Sequence, residues 1–427
     1  MLIQQTHNGG PCVVPERVRT LKEELLFIPG PVKISEKVAA SLSRPLIDHR
    51  GPQFAALLEG IGRQLGPIFG TNNDIVLLGS SGTGGLDAAV TSVFSPGDKL
   101  LACPVGVFGQ RFARIAEAAG CDVEILGTEA GHALDAGALA HRLSSDREGS
   151  IRGILLTHNE TSTGVENDMA ALSAALRDHP ALRLVDSVSG LGASAFTMDA
   201  WGFDVVVSAT QKVLAAPPGL ALVAASERAW KAMGSSKGAR FYFDLTKARN
   251  FAHDGQTPWT PPVSIVFALE AALQQYYAEG PEAVWQRHQR YARAIRAAIV
   301  ALGLELFSSP GSHSRTVVAI SFPKKLDVSR LLLSLRQNHG VVLSGGQQEL
   351  KGKIIRMGTM GDLSQTDVIG ALGALEMVLC EQEVDIQMGA GVGAALHVFH
   401  QADADSRHGA AQESDATEDA QTTAAFR

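Results

Sequence analysis

Lys212 is the residue of this sequence whose position most clearly suggests chemistry. It follows the apolar run from Val205 to Val207 and precedes a Pro-Pro-Gly turn that ends at Gly219. Because β-branched side chains favour a strand buried on both faces, the run predicts a core strand with Lys212 near its end. An amine in that position must have its charge paired or removed, and an imine with an aldehyde cofactor removes it. The alternative is a surface lysine on the loop that follows the strand.

A second candidate is the glycine-rich loop Gly79-Ser-Ser-Gly-Thr-Gly-Gly85, which separates a predicted strand from a predicted helix. Small residues let backbone N–H groups approach an anion, and a helix N-terminus adds a positive dipole end, so the loop suits a phosphate group. Its spacing matches neither G-x-G-x-x-G nor G-x-x-x-x-G-K-[ST], which disfavours a dinucleotide or a triphosphate. A tight strand-to-helix turn without a ligand is the other interpretation.

Asp186 is the third candidate, at the end of another short apolar strand in the segment Arg183-Leu-Val-Asp-Ser-Val-Ser. Desolvation raises the pKa of an unpaired acid, so a carboxylate at a buried strand end stays ionised only beside a positive partner. A protonated pyridine nitrogen is one such partner. A helix cap or an Asx turn is the alternative role for this residue.

The predicted secondary structure places the three candidates on one kind of scaffold. Between residues 75 and 224, short apolar strands alternate with helices, which indicates an α/β fold with a mainly parallel sheet and helices on both faces. Ligands of such folds bind at the carboxyl ends of the strands, where Lys212 lies. A long helical segment from Val263 to about Leu302 then leads to a smaller α+β unit.

We predict four segments from these patterns: an N-terminal extension (1–24), a large domain with an N-terminal arm (25–289), a small C-terminal α+β domain (290–383) and a disordered acidic tail (384–427). The tail prediction depends on composition, since Gly, Ala, Gln, Ser, Asp and Thr dominate it without a period. From Glu381 onward the chain has nine acids and two arginines, so its last segment alone carries a charge of −7.

Composition excludes several classes of protein. The 427 residues are 45% hydrophobic and 19% charged, as in a globular protein with two or more domains. We find no apolar run long enough to span a membrane and no signal-like start, so we expect a cytoplasmic protein. The net charge of −7 offers no basic surface for nucleic acid. We expect neither disulfides nor a metal site, because the following residues lack ligand spacing: Cys12, Cys103, Cys121, Cys380, His49, His158 and His253.

The order of these motifs resembles a known family. The glycine loop, Asp186-Ser-Val-Ser and Ser208-Ala-Thr-Gln-Lys212 with its Pro-Pro-Gly turn are similar to the class V aminotransferases of the pyridoxal phosphate fold-type I superfamily. The likeness is greatest to the alanine/serine–glyoxylate aminotransferase branch and covers roughly residues 25–380. It includes Ile28-Pro-Gly-Pro31, the segment from His158 to Gly164 and Arg356-Met-Gly. The resemblance implies a fold-type I transferase that uses pyridoxal 5'-phosphate.

The resemblance also implies roles for individual residues. Lys212 would form the imine with the cofactor and then move a proton during catalysis, and Asp186 would pair with the pyridine nitrogen. The other cofactor contacts would be Ser81, Gly82, Thr83, Phe108, Val188, Gln211, Thr257 and Thr260. The substrate would contact Gly30, Thr161 and Arg356, whose planar guanidinium suits a carboxylate. Three positions depart from the family pattern: many relatives have tryptophan at the position of Phe108, serine is commoner at that of Thr161, and relatives can have tyrosine at that of Thr257.

The function that the resemblance implies is transfer of an amino group from a small amino acid, such as alanine or serine, to glyoxylate or pyruvate by a ping-pong mechanism. Thr257 and Thr260 match a segment that reaches the phosphate of a neighbouring subunit, which implies a homodimer with shared active sites. Two alternatives stay open: a lyase, decarboxylase or specialised transaminase with the same cofactor, and a non-catalytic interaction subunit. The intact Lys212 and Asp186 count against the second.

Overall fold

The computed structural model describes residues 24–323 and 325–401. The helices are α1 (Glu36–Ser41), α2 (Pro52–Phe69), α3 (Gly82–Val93), α4 (Val107–Ala118), α5 (Ala136–Ser144), α6 (Met169–Leu176), α7 (Met198–Trp201), α8 (Glu227–Met233), α9 (Leu245–His253), α10 (Val263–Glu279), α11 (Pro281–Ala301), α12 (Val328–His339), α13 (Gln365–Glu381) and α14 (390–401). The strands are β1 (Leu25–Leu26), β2 (Ile75–Gly79), β3 (Lys99–Ala102), β4 (Asp122–Ile125), β5 (Ile151–Thr157), β6 (Asn159–Glu160), β7 (Val165–Glu166), β8 (Leu182–Asp186), β9 (Val205–Ala209), β10 (Leu220–Ala225), β11 (Glu305–Leu306), β12 (Val317–Ser321), β13 (Val341–Val342), β14 (Ser344–Gly345) and β15 (Ile354–Gly358).

A seven-stranded sheet with the order β2-β10-β9-β8-β5-β3-β4 forms the centre of the molecule. Strand β10 runs in the direction opposite to the other six strands, which are parallel to one another, so the prediction of a mainly parallel sheet is confirmed. Successive residues of β9 pack into different cores: Val206 faces one hydrophobic cluster, whereas Val205 and Val207 face the other. Because both faces are covered in this way, the strand opens with three consecutive valines and shows no alternation of apolar and polar residues there.

The carboxyl ends of β2, β9, β8 and β5 meet at one edge of this sheet, because β10 reverses direction between two strands that run the same way. The glycine loop follows β2, Asp186 ends β8 and Lys212 follows β9. The topology therefore gathers the three candidates that were identified separately in the sequence.

A second, antiparallel sheet with the order β11-β12-β15-β14 belongs to a separate hydrophobic cluster. Apart from Phe27, all buried members of this cluster lie at or after Tyr291 in the chain. The buried members of one of the clusters that pack on the large sheet extend no further than Val284. The arm strand β1 pairs in parallel with β13, so the arm joins the small-domain side of the molecule. On this division of the core we propose the domain boundary near residue 290.

Two sequence predictions are corrected by the structure. The helical segment predicted from Val263 to about Leu302 is two helices, since Gly280 has a φ of +92° and Pro281 starts α11. Proline lacks an N–H and constrains the residue before it, so the pair ends one helix and begins the next.

The second correction concerns the tail, which composition predicts to be disordered from residue 384. Residues 390–401 are helical, and Ala395 and Phe399 are buried in the second core. Their spacing of four residues is a helical stripe that the surrounding small residues conceal in composition. Residues 1–23 of the predicted extension (1–24) and residues 402–427 of the predicted tail lie outside the described residues.

Within the described ranges, none of the helices has the length and apolarity needed to cross a membrane.

Candidate active site

Lys212 lies in the turn after β9, at the carboxyl edge of the large sheet. Its Nζ donates a hydrogen bond to the carbonyl oxygen of Pro29, 2.5 Å away. Gly30 permits this approach, because its φ is +121° and a Cβ there would lie 2.7 Å from Nζ. Burial lowers the pKa of Lys212 to about 8; Asp186 opposes this shift, and the charges of Arg356 and Arg111 add to it.

Asp186 lies at the end of β8 and is 5% exposed. One of its oxygens accepts the backbone N–H of Val188 at 3.0 Å. Burial raises the pKa of Asp186 to about 6, with a further increase from Glu160, whereas the Val188 N–H and the charge of Lys212 oppose the rise. The opposite charges of Asp186 and Lys212 therefore stabilise each other and offset part of the cost of burial.

The glycine loop leads directly into α3, which begins at Gly82 with Ser81 as its N-terminal cap residue. The Ser81 side chain makes no capping hydrogen bond. A Cβ on Gly82 would lie 2.6 Å from Val188, and one on Gly85 would lie 2.8 Å from Val207. These glycines let the helix N-terminus lie directly against β9 and the segment after β8, so its positive end faces the lysine side of the sheet.

The side chain of Gln211 has a buried polar atom whose hydrogen bonding indicates whether a ligand fits this site. Its amide oxygen is buried and has no hydrogen-bond partner among the described residues. An unpaired buried amide is costly, so the side chain is better suited to a site that receives a polar ligand. Gln211 adjoins Lys212 in sequence, on the edge where α3 presents its N-terminus.

Phe108 lies in the first turn of α4, and the guanidinium of Arg111 packs 4.7 Å from the centre of its ring. Arg111 also donates to the hydroxyl of Thr83 at 3.3 Å, which links the predicted stacking ring to the predicted phosphate loop. Sequence analysis did not identify Arg111. Its spacing of three residues from Phe108 on a helix is the signal that would have placed the two side chains together.

Arg356 approaches from the small-domain sheet, on β15, and is 5% exposed. Its Nε and one terminal nitrogen donate to the carbonyl of Gly345 at 3.0 and 2.9 Å, and the other terminal nitrogen donates to the carbonyl of Thr161 at 3.1 Å. Burial lowers the pKa of Arg356, and Glu160 opposes that shift. Thr161 and Arg356, predicted from distant parts of the sequence, are therefore in direct contact.

Thr257 and Thr260 lie at a different place. They border a small cavity that Gly79 and Tyr242 also line. The Thr257 hydroxyl donates to the carbonyl of Trp259 at 2.8 Å, and Arg50 donates to the Thr257 carbonyl at 2.7 Å. The segment is thus held in a fixed conformation beside the start of the glycine loop.

Across residues 24–323 and 325–401, no group of three or more His, Cys, Asp or Glu side chains is arranged to hold a metal ion. His158 is fully buried, and its Nδ1 lies 2.8 Å from the Ser187 hydroxyl. Burial lowers the pKa of His158 to about 3, so the ring is neutral and supports the segment after Asp186 through a hydrogen bond.

Comparison with known proteins agrees with this geometry. Residues 32–360 match the family described as Aminotransferase class-V. An L-aspartate–glyoxylate aminotransferase from Paracoccus denitrificans is 37% identical over 90% of this chain and 98% of its own length. A protein named soluble hydrogenase 42 kDa subunit from Anabaena cylindrica is 36% identical over 88% of this chain and 98% of its own length.

Among solved structures, the pyridoxamine–pyruvate aminotransferase from Mesorhizobium loti superimposes with a TM-score of 0.84 and 31% identity, over 89% of this chain and 97% of that one. This similarity confirms the expected fold. The chain belongs to the class-V aminotransferase family.

Proposed function

We propose that the protein is a pyridoxal-phosphate-dependent aminotransferase that moves the amino group of a small amino acid to glyoxylate or pyruvate by a ping-pong cycle. The observation that carries the proposal is a partly buried amine, Lys212, at the carboxyl edge of the sheet, whose pKa is lowered to about 8 and which interacts electrostatically with an acid, Asp186, and a cation, Arg356. The names of the Paracoccus and Mesorhizobium relatives, which specify glyoxylate and pyruvate, support the choice of acceptor.

The residues present suit the cofactor. Bound pyridoxal 5'-phosphate would supply an aldehyde that takes up the amino group and a pyridinium ring that withdraws electrons from the reacting bond. Asp186 has a carboxylate suited to a pyridine N–H, and the N-terminus of α3 suits a phosphate. We assign the phosphate contacts to Ser81, Gly82, Thr83 and Gln211, and the ring contacts to Phe108 and Val188.

Lys212 performs the proton transfer. Its neutral Nζ accepts the proton that leaves the α-carbon of the amino acid and then returns a proton in the same half-reaction. A base whose pKa is about 8 is available in both forms near neutral pH, which is the condition for efficient general acid–base catalysis. The Nζ of Lys212 donates a hydrogen bond to the Pro29 carbonyl at 2.5 Å. This contact fixes the position of the amine when it is protonated.

Arg356 orients the substrate. Its guanidinium is fixed by the carbonyls of Gly345 and Thr161, so little side-chain entropy remains to be lost when a carboxylate binds. Both the amino acid and the 2-oxo acid have such a carboxylate, and a bidentate contact fixes the direction of the α-carbon bonds. We include Gly30 and Thr161 among the residues that border the substrate.

We further propose a homodimer in which Thr257 and Thr260 contact the cofactor phosphate of the partner subunit. The supporting observation is an aromatic patch beside this segment: Tyr242 stacks on Trp259, and Phe241 is 75% exposed. Exposed clustered aromatic rings are typical of protein interfaces. Sedimentation analysis should give twice the chain mass for the wild type, and a stable, fully active monomer would exclude shared sites.

A screen of amino donors tests the function. Purified protein is loaded with pyridoxal 5'-phosphate and mixed in turn with alanine, serine and aspartate, and its absorbance is followed without an acceptor. A productive donor should convert the aldehyde form of the cofactor to the amine form, and added glyoxylate or pyruvate should reverse the change with formation of the new amino acid. Release of carbon dioxide or ammonia without a new amino acid would instead indicate a decarboxylase or lyase, and no conversion with any donor would exclude the proposal.

A further inference from the structure

The short hairpin of β6 and β7 contains a fully buried carboxylate, Glu160, that has no role in the scheme above. One of its oxygens accepts the N–H groups of Phe108 and Gly109 at 3.1 and 3.0 Å. The other accepts the backbone N–H and the hydroxyl of Ser162 at 3.0 and 2.6 Å. The Ser162 hydroxyl in turn accepts the N–H of Val107 at 2.9 Å.

The hairpin therefore satisfies the first three N–H groups of α4, which a helix cannot satisfy internally. Gly106 occupies the N-terminal cap position of α4 and has no side chain with which to cap the helix. A Cβ on Gly106 would lie 2.5 Å from both Glu160 Cγ and the Ser162 hydroxyl. Only glycine leaves room for a capping carboxylate that comes from more than fifty residues along the chain.

This cap connects two parts of the active site. On one side it holds the backbone of Phe108, whose ring also contacts the guanidinium of Arg111. On the other side, Thr161 accepts a hydrogen bond from Arg356 through its carbonyl and donates to Ser189 through its hydroxyl. Glu160 thus lies between the ring that we assign to the cofactor and the cation that we assign to the substrate carboxylate.

We propose that Glu160 is a positioning residue for transamination: by accepting the opening N–H groups of α4, its carboxylate holds Phe108 in register against the cofactor ring. The proposal rests on the proposed function, because it assumes that the cofactor binds beside Phe108. A carboxylate is favoured in this place by the positive end of the helix, and its charge also adds to the raised pKa of Asp186.

The test is the substitution Glu160→Gln, which preserves size but replaces one accepting oxygen with an NH₂ group. Glu376→Gln is a matched control. Glu376 is 1% exposed and accepts the N–H groups of Gly389 and Val392 at the start of α14. It makes the same kind of contact within the small-domain core.

Three properties of each purified variant are measured: the thermal unfolding midpoint, the Kd of pyridoxal 5'-phosphate for cofactor-free protein, and the visible circular dichroism of the bound cofactor, which reports ring orientation. Both variants should unfold at a lower temperature. Only Glu160→Gln should raise the cofactor Kd, by about 10- to 100-fold as expected for lost hydrogen bonds to a charged group, and change the visible dichroism.

Equal losses of thermal stability with an unchanged Kd and dichroism in Glu160→Gln would overturn the proposal and leave Glu160 a structural cap. If Glu160→Gln is not recovered folded, Ser162→Ala removes both the acceptor of the Val107 N–H and the hydroxyl that donates to Glu160, and it should change the dichroism in the same direction. Unchanged dichroism in that variant would also overturn the proposal. Failure of the wild type to bind the cofactor would contradict the proposed function itself, so the two failures are distinguishable.

Discussion

The charged groups on the large-domain side of the candidate site differ from the one on the small-domain side in how close they are to a change of protonation. On the large-domain side, burial moves the pKa of Lys212 to about 8 and that of Asp186 to about 6, so both groups are close to a change of protonation. On the small-domain side, Arg356 is 5% exposed, makes three hydrogen bonds to two carbonyls and remains a cation. The difference agrees with the roles that we propose, in which one side performs proton transfer and the other holds the substrate.

The strongest test of this division is Lys212→Ala. Loss of the Lys212 amine should reduce kcat by about 10⁴-fold and abolish the borohydride-reducible bond between protein and cofactor. Steady-state assays and mass spectrometry of reduced protein measure both effects. Lys231→Ala, at an exposed position on α8, is the control and should match the wild type. A bond that persists in Lys212→Ala would move the reactive amine elsewhere.

Asp186→Asn should reduce kcat on the order of 10²-fold with a smaller change in KM, because it removes a preorganised charge at the reacting group. Comparison with Asp168→Asn, an exposed helix cap on α6, separates the effect of the site from that of neutralising any aspartate. Equal kcat values for Asp186→Asn and the wild type would mean that the large-domain side does not depend on this charge.

Arg356→Lys should act mainly on KM, which should rise about 10- to 100-fold for the amino donor and for the 2-oxo acid alike, since a lysine cannot reproduce the planar two-point contact. Arg44→Lys is the control, because Arg44 forms an exposed ion pair with Glu270 and such pairs contribute little. A change confined to kcat would contradict the assignment of substrate binding to the small-domain side.

The smallest expected effect is a shift in pH dependence that compares the two sides directly. A protonated amine has no lone pair, so the rate of cofactor capture by Lys212 should rise with pH and level off above a midpoint near the pKa of about 8. Asp186 raises this pKa and Arg356 lowers it. Stopped-flow absorbance should therefore show a lower midpoint for Asp186→Asn and a higher one for Arg356→Gln. Shifts of the opposite sign would contradict the charge arrangement.

The parts of the site that sequence analysis found are those with local signals. Lys212 and Asp186 each lie at or after the end of an apolar strand, and the glycine loop lies between a strand and a helix. The spacing of apolar residues and the glycines and prolines that bound each segment therefore suffice to place them. The sheet topology then brings them together because parallel strands share one edge. The match of Arg356 with Thr161 required the family resemblance, since no local pattern relates residues so far apart.

The parts that were missed depend on contacts between distant segments. Glu160 lies inside the motif from His158 to Gly164, but nothing in its neighbourhood shows that it caps α4. The helix at 390–401 was missed because composition outweighed the apolar stripe that ends at Phe399. In both cases a residue acquires its role from a partner that only the folded chain supplies.

The pairing of the arm strand β1 with β13 has a consequence for biosynthesis. Leu25 and Leu26 leave the ribosome long before their partners Val341 and Val342, which emerge only after most of the described chain. Contacts of such high sequence separation form late, because the intervening loop must first be closed. Gly30, which follows the arm and lies against Lys212, should therefore reach its place after the large sheet has formed. We expect unfinished nascent chains to have the lysine but an open site around it.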